Sequence, residues 1–200
     1  MIPFLILVLC YLIGAIPFGF LLVKLRSGDD VRSSGSGNIG ATNVLRTQGR
    51  AMGVATLLLD ALKGFLAVWL MSYMTSGSIL WTSAAAVAVM LGHVYPIFLK
   101  FHGGKAVATF IGAFLYIAPW PLLAVLIVFV IVVAATKFIS LGSIVAAACF
   151  PFGVWFIMHP ESPLLLAALI AAILILYKHK ANMGRLRAGS ENVFRFGKPS

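Results

Sequence analysis

Charge is scarce in this chain, and acidic charge scarcest of all. Only 10% of its 200 residues are Asp, Glu, Lys or Arg, against about 25% in soluble domains. Five acids face fifteen Lys and Arg, which leaves a formal charge of +10. Cysteine occurs twice, as Cys10 and Cys149, each inside an apolar run, so no disulfide framework is expected and both read as packing residues. What replaces the missing charge is hydrocarbon. Hydrophobic residues make up 62% of the chain and the mean hydropathy is +1.06. That balance excludes a soluble enzyme, a disordered chain and a collagen-like fibre, and it points to an all-α integral membrane protein with little soluble mass. The excess of cations then bears first on membrane topology and anionic substrates, with no nucleic acid expected as a partner.

Seven apolar runs are visible: 2–23, 53–74, 79–99, 106–118, 120–136, 143–158 and 164–177. The first has no basic residue before it and no small-residue cleavage site after it, so it reads as an uncleaved helix. The runs 106–118 and 164–177 fall short of the roughly 17 residues a spanning helix needs. Residues 106–136 would form one long helix but for Pro119 and Pro121 around Trp120, which favour a tight turn. Parity supports the turn. With seven spans the segments 24–52, 100–105, 137–142 and 178–200 share one side, and they hold Lys24, Arg26, Arg32, Arg46, Arg50, Lys100, Lys105, Lys137, Lys178, Lys180, Arg185, Arg187, Arg195 and Lys198. The opposite loops, at 75–78, around Pro119 and at 159–163, carry no Lys or Arg. Fourteen of fifteen cations on one face predict a single membrane-embedded domain over 1–200 with an outside N-terminus and a cytoplasmic C-terminus. The exception is Lys63, three residues after Asp60 in the second run and on the same helix face. The two read either as a buried ion pair or as a functional site, since charge inside a membrane is costly. No internal repeat suggests a transporter built from inverted halves.

Three segments on the cationic side are suited to anions. The first is Ser33-Ser34-Gly35-Ser36-Gly37-Asn38-Ile39-Gly40-Ala41-Thr42-Asn43. Its glycines and hydroxyl residues let backbone N–H groups approach an anion, and Thr42 or Asn43 is placed to cap a short helix. Asn43, Arg46 and Arg50 follow at i, i+3 and i+7 and would share a face. A flexible Gly/Ser linker with ordinary interfacial charge is the other reading of the same residues. The second segment, Phe101-His102-Gly103-Gly104-Lys105, offers backbone N–H groups and an ammonium at a helix start. It is no P-loop, because Leu99 stands where that motif needs glycine and Ala106 where it needs Ser or Thr; a plain turn with an anchoring lysine fits it equally. The third is Lys178-His179-Lys180-Ala181-Asn182-Met183-Gly184-Arg185-Leu186. If the last helix runs on past the lipid boundary, His179, Asn182 and Arg185 fall within an arc of about 120°. Neighbouring cations would lower the pKa of His179 and leave it able to accept a proton, while a solvated basic tail that attracts anionic lipid is the simpler alternative. Glu191, the tail's only acid, is placed to pair with one of these arginines. Ser143 opens the sixth run as a cap or a ligand, and His93 lies near a span end where an interhelical hydrogen bond is expected.

The motifs Ser36-Gly37-Asn38-Ile39-Gly40-Ala41-Thr42-Asn43, Gly92-His93-x-Tyr95-Pro96 with Phe101-x-Gly103-Gly104-Lys105, and His179-x-x-Asn182-x-x-Arg185-Leu186-x-x-Gly189-x-Glu191 resemble the bacterial acyl-phosphate:glycerol-3-phosphate acyltransferase family. Asp60-x-x-Lys63-Gly64 also looks like that family's second helix, and the likeness runs nearly the full length. Two small departures are Ala106, where many members have another glycine, and Met183, where a β-branched residue is common. The resemblance implies a seven-helix inner-membrane enzyme with its active site facing the cytoplasm. It would move a fatty acyl group from acyl phosphate to the 1-hydroxyl of sn-glycerol 3-phosphate, giving lysophosphatidic acid and phosphate, the first step of phospholipid synthesis.

Carried onto this sequence, the candidate catalytic residues are Lys105 and His179, and the candidate substrate-binding residues are Ser36, Asn38, Thr42, Asn43, Arg46, Gly103, Gly104, Lys105, Ser143, His179, Asn182, Arg185 and Glu191. The proton acceptor is either His179 or an oxygen of the acyl phosphate itself. No cofactor or metal is expected, since four scattered histidines and five acids lack ligand spacing. The expected partners are the two substrates and membrane lipid, with the chain monomeric. A channel or transporter for organic phosphates is the rival class; it would need a polar path through several spans, where the sequence places only Asp60, Lys63 and His93.

Overall fold

The computed structural model describes residues 1–194, so Arg195 and Lys198 of the basic tail lie outside the described residues. Regular structure there is helical throughout. The chain divides into two compact units, the first Met1–Ile117 and the second from Ala118 onward.

The first unit contains α1 (Ile2–Ala15), α2 (Phe18–Ser27), α3 (Ala41–Gln48), α4 (Arg50–Met74), α5 (Ile79–Val94) and α6 (Val107–Ile117), with single 3-10 turns at Val31–Ser33 and Ile97–Leu99. The first apolar run is therefore broken. Pro17 lacks an N–H and Ile16 is extended at φ −62°, ψ 114°, so the backbone ladder stops between α1 and α2. The freed Ile16 carbonyl is met by Lys63 Nζ at 2.7 Å, and the same ammonium lies 2.8 Å from Asp60 Oδ1. Both side chains of that pair are 2% exposed. The ion pair, one of the two readings open for these residues, is thus present and buried, and it also closes a helix break.

Helices α4 and α6 cross at small residues. A Cβ on Gly64 would strike the Thr109 carbonyl oxygen, and one on Gly112 would strike the Ala61 carbonyl oxygen. The two contacts sit three residues apart on each helix, the small-residue seam by which membrane helices bring their backbones together. Gly14 against Val89 and Gly92 against Tyr11 repeat the arrangement between α1 and α5.

The second unit contains α7 (Pro119–Thr136), α8 (Ile139–Met158), α9 (Ser162–Lys178) and α10 (Lys180–Arg187). Trp120, Ile131, Phe156 and Ile173 are among its large exposed apolar residues. Apolar surface on this scale suits lipid rather than water. Cys149 is exposed on α8, unlike the fully buried Cys10 of α1, so only Cys10 packs as the sequence suggested; both are free thiols.

Several boundaries differ from the hydropathy reading. Helix α4 starts at Arg50, because Gly49 at φ 91° breaks the chain from α3 one residue earlier. Helix α5 ends at Val94, ahead of Pro96. Helix α8 begins at Ile139, four residues before Ser143. Among the described residues, five stretches are long and apolar enough to cross a bilayer: Ile2–Ser27, Arg50–Met74, Ile79–Leu99, Pro119–Thr136 and Ile139–Met158. The pair Ser162–Lys178 and Lys180–Arg187, bent by 53°, makes up to a sixth. Helix α6 has 11 residues, or roughly 16 Å of rise, against a hydrocarbon core of about 30 Å.

Candidate active site

In the first unit the polar segment after α2 is folded, not a linker. Val31, Ile39 and Val44 are buried with Val23 of α2 and Leu99 of the α5–α6 turn, and Phe20 and Met52 pack against them. This small core lies beneath the loop that carries Ser36–Asn43. The loop is then laced by one side chain. Asn43, 2% exposed, accepts a hydrogen bond from the Ser36 N–H at 2.8 Å. Its amide nitrogen donates to the carbonyls of Asn38 at 2.9 Å, Ser34 at 3.1 Å and Val31 at 3.2 Å. Asn38 closes a tighter turn by accepting from the Gly40 N–H at 2.8 Å. Gly35, at φ 61°, lies so close to Asn43 Oδ1 that a Cβ there would collide with it. Ser36 and Arg46 are exposed, while Asn38 and Thr42 are half-buried.

Asn43 is accordingly the staple of the loop, with its polar atoms spent on backbone rather than offered to a ligand. The helix cap is Gly40, and Thr42 and Asn43 lie within the first turn of α3. Arg50 does not share the face of Asn43 and Arg46, because it belongs to α4. Among the loop's cations, Arg32 is neutralised locally: its Nη2 lies 2.6 Å from Asp30 Oδ2. Side-chain and backbone hydrogen bonds from Arg32 lower the Asp30 carboxyl to about 2.

The Gly103-Gly104-Lys105 turn is pinned to the end of α5. The Gly103 N–H donates to the Val94 carbonyl and the Gly104 N–H to the His93 carbonyl, both at 3.1 Å. These two amides, which the sequence suggested for an anion, are thus committed to the fold. The turn's own cation is the half-buried Lys105, followed by the first turn of α6, whose N–H groups have no carbonyl partners within the helix. Ala106 joins them at φ 58°, a left-handed conformation that costs an alanine about 1 kcal/mol and a glycine almost nothing.

In the second unit the tail is organised around an acid. Glu191, with a side chain 5% exposed, takes Arg185 Nε at 2.8 Å. Its Oε1 accepts from Asn182 Nδ2 at 2.8 Å and from Ser140 Oγ at 3.1 Å. The pairing with an arginine was legible in the sequence; the roles of Asn182 and Ser140 were not. Helix α9 stops at His179, so the last helix does not run on straight. The ring of His179, 3% exposed, places Nδ1 2.8 Å from the Ile175 carbonyl. A carbonyl only accepts, so Nδ1 carries the hydrogen and the neutral ring keeps its lone pair on Nε2. Ser143 neither opens nor caps α8; its hydroxyl donates back to the Ile139 carbonyl at 2.9 Å.

Residues 4–189 match the family described as glycerol-3-phosphate acyltransferase. The chain belongs to that family. Curated relatives of the same name agree: the proteins of Geotalea daltonii, 47% identical over 92% of this chain and 94% of theirs, and of Geobacter metallireducens, 49% identical over 98% and 99%. Among solved structures, the fold is similar to crystal forms of PlsY (YgiH), an integral membrane glycerol 3-phosphate acyltransferase. The glycerol 3-phosphate form superposes with a TM-score of 0.91 at 35% identity, covering 98% of this chain and 96% of that one. The lysophosphatidic acid form gives 0.89 at 34% identity. This acyltransferase is therefore all-helical and membrane-integral.

Within the acyltransferase the staple makes a direct prediction. Asn43→Asp keeps the acceptor for Ser36 but turns a second oxygen toward three carbonyls that need a donor. The loop should lose on the order of 3 kcal/mol of local stability. Limited proteolysis between residues 33 and 40 should accelerate markedly while the helices stay protected; an unchanged cleavage rate would contradict the role of Asn43.

Proposed function

We propose that the chain transfers a fatty acyl group from acyl phosphate to the 1-hydroxyl of sn-glycerol 3-phosphate, releasing lysophosphatidic acid and inorganic phosphate. Acylation of glycerol 3-phosphate is the activity of its family. The observation that carries the finer reading is the folded Ser36–Asn43 loop, stapled by Asn43 over a core that includes Leu99 of the turn leading to Lys105. A rigid polar loop and a cation are what an already activated donor requires. Acyl phosphate is a mixed anhydride with phosphate as its leaving group, so catalysis is mainly positioning and charge neutralisation.

In this reading Ser36, Asn38, Thr42 and Lys105, the last set in place by the Gly103-Gly104 turn, hold the acyl-phosphate head, with Asn43 fixing the loop. Arg46, Lys105, Ser143, His179, Asn182 and Arg185 are the residues assigned to glycerol 3-phosphate, and Glu191 sets Asn182 and Arg185. The glycerol 1-oxygen forms a bond to the acyl carbon, the bond from that carbon to the phosphate oxygen breaks, and the hydroxyl proton passes to the departing phosphate. The chain works in the bacterial inner membrane as a monomer with seven spans, an outside N-terminus and its chemistry on the cytoplasmic face. The distribution of cations along the sequence supports that orientation.

Purified protein in detergent or lipid mesophase, given glycerol 3-phosphate and palmitoyl phosphate, should release phosphate and lysophosphatidic acid in equal amounts. Palmitoyl-coenzyme A run in parallel should give none. Absence of turnover by well-folded protein would sink the reading, and uptake of phosphate esters by sealed vesicles would then favour a transporter.

His179→Ala separates binding from proton transfer. With Nε2 orienting a glycerol hydroxyl, KM for glycerol 3-phosphate should rise roughly tenfold, the worth of one hydrogen bond of about 1.4 kcal/mol, with kcat little changed. A collapse of kcat at saturating substrate would make His179 the base instead.

A further inference from the structure

The Asp60–Lys63 pair and His93 have no role in the chemistry above, yet they form one buried polar line that ends at the glycine turn. Asp60 and Lys63 are on α4, and His93 is in the last turn of α5. Lys63 is fixed by Asp60 at 2.8 Å and by the Ile16 carbonyl at 2.7 Å, with Phe18's ring 5.6 Å from its Nζ. The same Asp60 oxygen lies 3.6 Å from His93 Nδ1, and the histidine is 4% exposed. The opposite edge of the ring faces Gly104 so closely that a Cβ on that glycine would collide with Nε2. The His93 carbonyl meanwhile receives the Gly104 N–H. His93 therefore holds Gly104 twice, by its backbone and by its ring, and the ring is backed by Asp60.

We infer that Asp60 and His93 are positioning residues for the reaction, a strut that sets the Gly103-Gly104 backbone and through it the place of Lys105. A merely space-filling cluster would not need this polarity. Three ionisable side chains removed from solvent are costly to keep, and an apolar trio of the same size would pack at least as well. The carboxylate is held from one side by Lys63, so its oxygen is fixed as it faces the histidine. The histidine ring is the side chain packed against Gly104. Because Lys105 follows Gly104 directly, a tilt of the ring moves the lysine's backbone, and small misplacements of a positioning group are expensive in rate.

This inference rests on the acyl-phosphate reading, and the experiment distinguishes the two. Wild type, His93→Ala, His93→Asn and His93→Gln are assayed with glycerol 3-phosphate and palmitoyl phosphate, and amide hydrogen exchange is followed over residues 101–106 and over α5. His93→Ala should lower kcat/KM by about 100-fold and speed exchange in the turn far more than along α5. Asparagine places an amide nitrogen where Nδ1 stood and should restore most of the rate. Glutamine, which reproduces only the ring's far nitrogen, should not. A His93→Ala variant as active as wild type overturns the strut. So does a loss of rate with exchange raised evenly along α5, or equal rescue by asparagine and glutamine. Should His93→Ala fail to fold, the asparagine–glutamine contrast decides alone. An inactive wild type refutes the donor reading, while exchange in the turn still reports on the strut.

Discussion

Lys105→Ala should reduce kcat/KM for acyl transfer roughly 10²–10³-fold, the loss seen when a fixed donor to developing charge is removed. The expectation comes from where the lysine stands. The two amides before it are bonded to the carbonyls of Val94 and His93, both at 3.1 Å, so the turn cannot close around an anion with those groups. Its positive charge must come from the lysine side chain and from the start of α6. Lys105 is half-buried, and it follows a backbone held against α5, which is the setting in which a charge costs little reorganisation when a phosphate arrives. The variant should remain monodisperse and helical, because Lys105 is only half-buried and lies in the turn before α6. Lys105→Arg should recover only part of the rate, since a planar guanidinium on a longer stem does not reproduce a compact ammonium. Parallel measurement of phosphate and lysophosphatidic acid, with circular dichroism as the control for folding, decides the matter. Turnover within threefold of wild type would remove Lys105 from the chemistry.

The apolar helices were legible because a lipid-facing helix must be apolar nearly all round, and that condition writes itself into the sequence as uninterrupted runs. Their ends were harder to read. Arg50 and Ile139 lie in helices whose first turns extend beyond the hydropathy boundary, since backbone hydrogen bonding does not stop where charge begins. The α1–α2 break was written as Pro17, but its consequence, a carbonyl satisfied by Lys63 Nζ 47 residues away, depends on packing that no local pattern encodes. The same holds for the staple. Asn43 looked like a ligand because asparagine in a Gly/Ser loop is polar and unattached on paper; only the folded loop shows three carbonyls waiting for its amide. Glu191 was found as a partner for arginine because it is the tail's only acid, whereas Ser140, one of its two further partners, carries no signal that separates it from any serine at a helix start.

Gly112→Leu should leave no stable folded protein, and Gly112→Val should lower the apparent melting temperature by roughly 10 °C, the shift expected for about 3 kcal/mol of overpacking in a chain of this length. The side chain has nowhere to go: its first carbon would already fall on the Ala61 carbonyl oxygen, and Gly64 makes the mirror-image approach to Thr109. Neither partner can yield, because each is backbone within a helix. Relief requires α6 to move bodily away from α4, which strips both close approaches of dispersion contact at once, and in lipid there is no hydrophobic gain to draw the helices back together. The displacement would also carry the Ala106 end of α6 and the lysine before it, so Gly112→Ala, the mildest change, should lose activity before it loses its fold. Gly153→Ala on α8 is the matched control. Its added methyl would find nothing nearer than 3.6 Å, at Pro121, an ordinary contact that should leave stability unchanged. Thermal unfolding read by size exclusion across these variants tests the seam directly: a Gly112→Val protein as stable as Gly153→Ala would mean that α4 and α6 do not meet backbone to backbone.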